Sequence, residues 1–485
     1  MKKNSIKKNY IFHVSYQILS MIVPFITTPY VSRVLGPAGV GEYSYAGSIV
    51  SYFVLVASLG IATFGQREIA YSQDNVLERS RAFWEAVILK SFTSLSALAA
   101  YIGFLIITNE TRIVFYILSL NIISNLFDIS WLFQGLEEFQ KIVIRNTAFK
   151  FINIAYIFCF VKVKEDLPWY VLGICGFSLL NTISLWISVP KYIIFVKELH
   201  PFHNIKTILE LFVPTIAFQV YAVLDKTMIG LAASSAVENG YYEQAEKIVL
   251  MVKMLLTSMS TVMLPRMANL LKSDKYEQAK RYLSKTCGFD WLLGLPLVFG
   301  ILVCSNYFVP LFLGDGFDKS ILIMNILSPI IVLTSISGVI GYQYLIASGR
   351  QNIYTKTVFI SSGLNLLFNS IFIPKFLATG AAIGSILAEI INFTILVAYM
   401  QRRGILSITD IFKYAYKPFI SSLIMSFVLI LVKGKLPLNW KSLFFMVFIG
   451  GLIYALSLAV MRDELFSDNL QIIAQKIRMH RLKNR

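Results

Sequence analysis

The chain has 485 residues, of which 56% are hydrophobic and 15% charged, with a mean hydropathy of +0.66. Soluble domains carry about 25% charged residues, so this chain cannot cover its apolar surface with water-compatible groups. A soluble enzyme, a DNA-binding protein and a disordered scaffold are excluded. The formal net charge of +17 comes from 44 Lys and Arg against 27 Asp and Glu. In a membrane protein this excess reflects cytoplasmic loops and contact with anionic lipid, and no nucleic-acid partner is expected.

A bilayer core needs about 20 apolar residues per helix. Fourteen runs reach or approach that length: 11–31, 43–64, 82–107, 113–133, 146–161, 168–190, 208–231, 242–264, 287–309, 320–346, 357–373, 380–400, 414–432 and 442–461. The first follows the basic stretch MKKNSIKKNY but is too long for a signal peptide and lacks a small-residue cleavage site, so it is expected to be retained. Pro24 and Pro29 in the first run, and Pro214 in the seventh, interrupt the helical hydrogen-bond ladder and are candidate hinges.

Lys and Arg in the connections set the orientation. The alternate set that includes both termini carries 29 basic residues and the opposite set 9. Both termini are therefore expected in the cytoplasm. No external connection exceeds the 11 residues of 32–42, too little to hold the catalytic groups of a membrane polymerase or glycosyltransferase. GxxxxGK[ST] is absent, which gives no ATPase. A transporter is expected, not an enzyme, with no cofactor. Cys159, Cys175, Cys287 and Cys304 lie in apolar runs without CxxC spacing, and the chain has four histidines, so no metal site is expected. Segment 265–286 mixes Leu, Met and Tyr with six basic residues and predicts an amphipathic helix on the cytoplasmic surface. Residues 462–485 form a basic tail.

A weak repeat is visible. VPFITTPYVSRVLGPAGVGEYSYAGSI starts at Val23, and VPTIAFQVYAVLDKTMIGLAASSAVENGYYEQAEKI starts at Val213. Each is an apolar helix opening on Val-Pro, a short external turn, and a Gly-x-Tyr that opens the next helix, at Gly41 and Gly240. The expected fold is an all-α polytopic membrane protein of about 14 transmembrane helices. Two six-helix lobes, 1–200 and 201–405, are followed by two extra helices at 406–461. Tandem halves are a common transporter plan with the substrate site near the midplane.

An ionisable group inside a span costs at least about 2.5 kcal/mol, so it faces a partner or a wet cavity. Lys90, Lys150, Lys226 and Lys253 are such cations, and Asp128, Asp225, Glu246 and Glu389 such carboxylates. Adjacent Asp225 and Lys226 diverge by about 100° around a helix. Glu246 and Lys253 share a face, and Glu243 can pair locally with Lys247. A cavity with this basic excess would favour an anionic cargo such as a phosphate head group. For each residue alone, a structural ion pair or snorkelling is the alternative. Gly380, Gly384, Ser385 and Ala388 form a small-residue stripe for close helix packing. Asn121, Asn125, Gln219 and Asn365 are candidate sugar-selecting groups.

Six segments together resemble the polysaccharide flippases (Wzx type) of the multidrug/oligosaccharidyl-lipid/polysaccharide exporter superfamily. They are ITTPYVSRVLGPAGVGEYSY at 26–45, GQREIA at 65–70, WLFQGLEEFQKIVIRN at 131–146, VYAVLDKTMIG at 220–230, GYYEQAEKI at 240–248 and VMLPRM at 262–267. The resemblance covers about 1–400. It implies fourteen helices in two lobes around a central cavity that opens alternately to each side of a bacterial plasma membrane. The implied cargo is a polyprenyl-pyrophosphate-linked oligosaccharide for surface polysaccharide, moved by a monomer amid membrane lipids, with a polysaccharide polymerase or other assembly proteins as partners. The family's Arg-Glu pair falls on Arg67 and Glu68, and its Asp-Lys pair on Asp225 and Lys226. On this reading Lys226, Lys90, Lys150, Lys253 and Arg67 hold the cargo. Asp225, Asp128, Glu389 and Glu246 pair with cations or carry a coupling H+ or Na+. A lipid II flippase or a multidrug/cation antiporter of the same superfamily remains as an alternative.

Overall fold

The computed structural model describes residues 6–468, with the side chains of residues 6–19, 21, 214, 217, 218, 220, 221 and 257–262 outside that description. Its helices are α1 (Ile6–Ser58), α2 (Ile61–Tyr71), α3 (Val76–Ile107), α4 (Ile113–Phe127), α5 (Ser130–Gly135), α6 (Phe139–Phe160), α7 (Leu167–Ile183), α8 (Ile205–Ala232) and α9 (Val237–Lys272). They continue with α10 (Tyr276–Leu313), α11 (Asp318–Leu327), α12 (Ile330–Gly338), α13 (Gln351–Phe376), α14 (Ala378–Arg402), α15 (Ile408–Phe412), α16 (Tyr416–Lys433) and α17 (Trp440–Val460). Short 3-10 turns flank α7, and a π-helical turn, Val339–Ile346, follows α12.

Eleven segments among the described residues are long and apolar enough to cross a bilayer. The first of them holds two expected runs, and α8 and α9, with 28 and 36 residues, are also long enough to span. The fourteen apolar runs all fall on these helices.

The break in α1 sits at Gly36, whose φ of 66° and ψ of 179° are the non-helical dihedrals inside the element. Only glycine adopts that φ without strain. Pro37 follows, which disfavours helix at the preceding position and suits the first turn of the next helix. Gly36-Pro37 thus ends one span and starts another. Pro24 and Pro29 lie within continuous helix. Pro214 falls inside α8, and its side chain is outside the described residues.

The chain forms two compact units, Met1–Glu243 and Gln244–Arg485. This packing division lies beyond the repeat boundary near 200, because α8 packs along α1. The first unit has two apolar cores. One joins α1, α3, α4 and α7 around Tyr101, Phe115 and Leu118. The other surrounds Trp131 with Phe83, Ile61 and Ile69. A Cβ at Gly65 would lie 2.6 Å from the Trp131 ring, so α2 and α5 meet only because that residue is glycine. In the second unit, α10, α16 and α17 share a core with Met425, Leu429 and Met446. Outward-facing Phe92, Leu95 and Ile106 on α3, and Phe427, Phe444 and Phe448 on α17 and its neighbour α16, are exposed in the manner of lipid-facing groups.

Segment 265–286 is not a separate surface helix. It comprises the last turns of α9, a tight connection with Asp274 at φ 54°, and the first turns of α10. Its basic residues sit on the ends of two long helices, and this corrects the expectation from composition. The basic tail beyond Asp468 lies outside the described residues.

Candidate functional site

Helix α1 carries Ser44, Ser48, Ser51 and Ser58, with Gly47 between them, at three-, four- and seven-residue spacings. Such spacings put side chains on one helix face. The residues of this face open onto a cavity of about 670 Å³ in the first unit. Helix α4 contributes Asn121, Ser124 and Asn125, with Asp128 at its end. Ser178 and Thr182 come from α7, Thr215, Gln219 and Lys226 from α8, and Glu243 from α9. At 1.5 Å per residue, Tyr43 to Ser58 alone extends about 22 Å along the cavity.

Hydroxyls and amides supply the uncharged polar groups of the wall, between the aliphatic side chains of Val50, Val54, Leu55, Leu118 and Val223. Ser48 donates to the Tyr45 carbonyl at 2.7 Å, Ser51 to Gly47 at 2.7 Å and Ser58 to Leu55 at 2.8 Å. Each hydroxyl proton is held by its own helix, which leaves oxygen lone pairs to accept from a ligand. Ser124 lies 3.1 Å from the Ser178 hydroxyl, and Asn125 donates to Ser94 at 3.3 Å. This surface can both give and take hydrogen bonds over several turns of helix, as a polyhydroxylated head group requires.

Among the described residues, the charged side chains of this wall are one cation, Lys226, and two carboxylates, Asp128 and Glu243. Lys226 Nζ stands 2.7 Å from Glu243 Oε2, and the Ser44 hydroxyl donates to the same oxygen at 2.9 Å. The α8–α9 hairpin that presents this pair is closed by two further bonds. Tyr242 donates to Asp225, and the Asn239 amide donates to the Lys226 carbonyl at 3.0 Å. Thr227 donates to Ser48 at 2.9 Å and ties α8 to α1.

Glycines set the approach of α1 to the start of α9. A Cβ on Gly41 would lie 1.7 Å from the Ala236 carbonyl oxygen, and one on Gly240 would lie 2.0 Å from that of Pro37. These are the two repeat-related Gly-x-Tyr positions, and they meet. Ser44 and Glu243, hydrogen-bonded to each other, have the same 199-residue separation.

The other sequence-selected residues take different places. Lys90 is 2% exposed, and its Nζ donates to the Asp128 carbonyl at 2.7 Å. Lys150 Nζ lies 2.6 Å from Ser20 Oγ, linking α6 to α1. Arg67 pairs with Glu68 at 3.0 Å and lies over the Phe64 ring. None of these three is in the cavity wall. Asp128 is, and its Oδ1 also accepts from the Ser130 amide at 2.9 Å. Asp225 is buried against Tyr242.

In the second unit, Lys253 has Glu389 and Glu246 as electrostatic neighbours. Glu389 accepts from the Asn392 amide at 3.4 Å, and Asn369 donates to Asn365 at 3.1 Å in the α13–α14 seam. A Cβ on Gly384 would lie 2.3 Å from Asn369 Oδ1, so the small-residue stripe makes room for this amide ladder. A separate cavity of about 440 Å³ lies between α10, α16 and α17, lined by Leu297, Ile301, Phe308, Leu443 and other apolar groups.

The sequence offers Lys247 as a local partner for Glu243 and does not single out the serine face of α1. The serine spacing was available as a signal; the partnership of Glu243 with Lys226 was not, because it crosses a helix hairpin.

Eleven described segments able to cross a bilayer, with a polar cavity inside the first unit, are the features of a polytopic membrane protein. Comparison with known proteins agrees. The polysaccharide biosynthesis protein family matches residues 6–271, and the lipid II flippase MurJ family matches residues 150–450. The chain belongs to the polysaccharide biosynthesis protein family and is a flippase-type transporter, not an enzyme. A candidate O-antigen transporter from Escherichia coli (strain K12) is 22% identical over 83% of this chain and 99% of its own. The capsular polysaccharide biosynthesis protein CapF of Staphylococcus aureus is 22% identical over 81% and 98%. The fold is similar to that of a lipid II flippase MurJ in an inward closed conformation, with a TM-score of 0.77 at 17% identity over 94% of this chain and 99% of that one.

Proposed function

We propose that this protein moves a polyprenyl-pyrophosphate-linked oligosaccharide across a bacterial plasma membrane, from the cytoplasmic leaflet outward, by exposing its polar cavity alternately to the two sides. The observation that supports the reading is a cavity of about 670 Å³ in the first unit whose wall carries hydroxyl and amide side chains from serine, threonine, asparagine and glutamine. A hydroxyl taken into hydrocarbon without a hydrogen-bond partner costs roughly 2–7 kcal/mol. An oligosaccharide carries many, so the bare bilayer is a prohibitive barrier, and a wall of acceptors and donors lowers it without covalent chemistry. On this reading Lys226, on the cavity wall, meets the anionic pyrophosphate while the lipid tail stays in the bilayer. Lys90, Lys150, Lys253 and Arg67 serve this role only if they turn from their present partners toward cargo in another conformation.

Both termini are assigned to the cytoplasm on the distribution of Lys and Arg. Energy comes from an H+ or Na+ gradient acting on Asp225, Asp128, Glu389 or Glu246, or from consumption of cargo outside by a polymerase or other assembly protein. Lipid II is the second reading, favoured by the match to the lipid II flippase family over 150–450. The test is transport in proteoliposomes, with a labelled polyprenyl-pyrophosphate oligosaccharide in one leaflet and its exposure on the other followed in time. Protein-dependent exposure is expected. Movement of a lipid II analogue alone selects the second reading, and movement of a cationic drug alone overturns both.

A further inference from the structure

We infer that Glu243 is an internal stand-in for the anionic group of the cargo: in the empty cavity it occupies Lys226, and an incoming phosphate or diphosphate displaces it. This deepens the flippase reading and rests on its premise that the cargo carries such a group.

The geometry supports an exchange. Lys226 Nζ and Glu243 Oε2 are 2.7 Å apart, and both side chains are 19% exposed, so the pair lies where a ligand in the cavity reaches it. Among the described residues Lys226 is the cation of this wall. An ammonium inside a span is costly without a counter-charge, and Glu243 supplies one when no cargo is present. A diphosphate brings more negative charge and more acceptor oxygens than one carboxylate, and charge-assisted hydrogen bonds to it are correspondingly strong. It therefore competes for the same ammonium on favourable terms.

The displaced carboxylate is not stranded. Ser44 on α1 already donates to Glu243 Oε2 at 2.9 Å and remains beside it. The backbone of the pair does not have to move, because Tyr242 to Asp225 and Asn239 to the Lys226 carbonyl hold the hairpin closed. Only side-chain rotation of Lys226 or Glu243 is needed. The arrangement has a consequence for selectivity: a neutral sugar has no means of displacing Glu243, so the pair admits cargo by charge and leaves sugar choice to the hydroxyl wall.

The test is binding of farnesyl diphosphate and of inorganic pyrophosphate to the purified full chain, for wild type, Glu243→Gln, Ser44→Ala and Lys226→Gln. Glutamine keeps an oxygen to accept from Lys226 and Ser44 but drops the charge. Glu243→Gln is expected to bind diphosphate at least tenfold more tightly than wild type, about 1.4 kcal/mol. Lys226→Gln is expected to lose binding, with or without Glu243→Gln. Ser44→Ala, which leaves the displaced carboxylate less well held, is expected to weaken binding a few-fold. A gain with farnesyl diphosphate alone identifies a lipid-borne ligand; a gain with both probes identifies the diphosphate itself. Equal or weaker binding by a folded Glu243→Gln overturns the inference, as does absence of diphosphate binding in every variant. If Glu243→Gln does not fold, unchanged binding in Ser44→Ala overturns it. Transport of the labelled oligosaccharide by wild type separates the two levels, since it persists if only the exchange is wrong and is absent if the flippase reading fails.

Discussion

The ammonium of Lys226 and the carboxylate of Glu243 meet at 2.7 Å on the wall of a cavity that serine, threonine, asparagine and glutamine side chains share with Asp128 and several apolar groups. Each residue stabilises the other's charge where solvent is scarce. Removing one partner leaves the other uncompensated, which costs about 1–3 kcal/mol or more for a charged group. Lys226→Ala is therefore expected to lower the unfolding temperature and to slow transport. Lys226→Ala with Glu243→Ala is expected to recover part of the stability and none of the transport. Thermal unfolding of Lys226→Ala, Glu243→Ala and the double variant in detergent, each against wild type, checks the coupling.

The contact between Gly41 and the start of α9 leaves no room for a side chain. A Cβ there would stand 1.7 Å from a backbone oxygen, and one at Gly240 would stand 2.0 Å from another. Neither obstacle is the end of a flexible side chain. Gly41→Ala and Gly240→Ala are each expected to abolish transport and to reduce folded yield sharply. Gly47, on the same helix, has open space where its Cβ would be. Gly47→Ala is expected to keep the fold and to gain up to about 1 kcal/mol from helix propensity. Yield and unfolding temperature, measured side by side, distinguish these outcomes.

Outside the spans, Glu110 and Arg112 form an ion pair in the short connection between α3 and α4. Hydrogen bonding from the Arg112 side chain holds the Glu110 carboxyl below its ordinary value. A depressed folded-state value means that the stabilisation is present above the ordinary carboxyl range and is lost as pH falls through the depressed value. Unfolding temperature is expected to fall with acidification below about pH 4.5, the ordinary glutamate value. Glu110→Gln is expected to reduce that fall. An identical acid profile in the variant contradicts the assignment.

Much of this fold is legible in composition. The fourteen apolar runs fall on helices because bilayer thickness fixes the length of a span. The continuity of α1 across 32–42 is less legible, since one residue with unusual dihedrals, Gly36, makes the whole turn. Segment 265–286 was misleading for a related reason. A charge-rich amphipathic stretch and the abutting ends of two long helices have the same composition, and only the left-handed turn at Asp274 separates them.

The site divides in the same way. Lys226 stands out because a cation inside a span is conspicuous. Glu243 does not, because Lys247 offers a local i,i+4 partner while the partner in the structure belongs to the preceding helix. The serines of α1 are near neutral in hydropathy and so do not mark a cavity until their shared face is noticed.

If the carbohydrate of the cargo lies along the polar wall of the first unit, a photo-crosslinking residue at Ser51, Thr182 or Gln219 in that wall captures it, and one at lipid-facing Phe92 does not, in cells making the polysaccharide precursor. Illumination is expected to attach saccharide-bearing lipid to the three wall positions and not to position 92. Saccharide captured at position 92, with none at the wall of a folded and transporting protein, would place the carbohydrate outside this cavity.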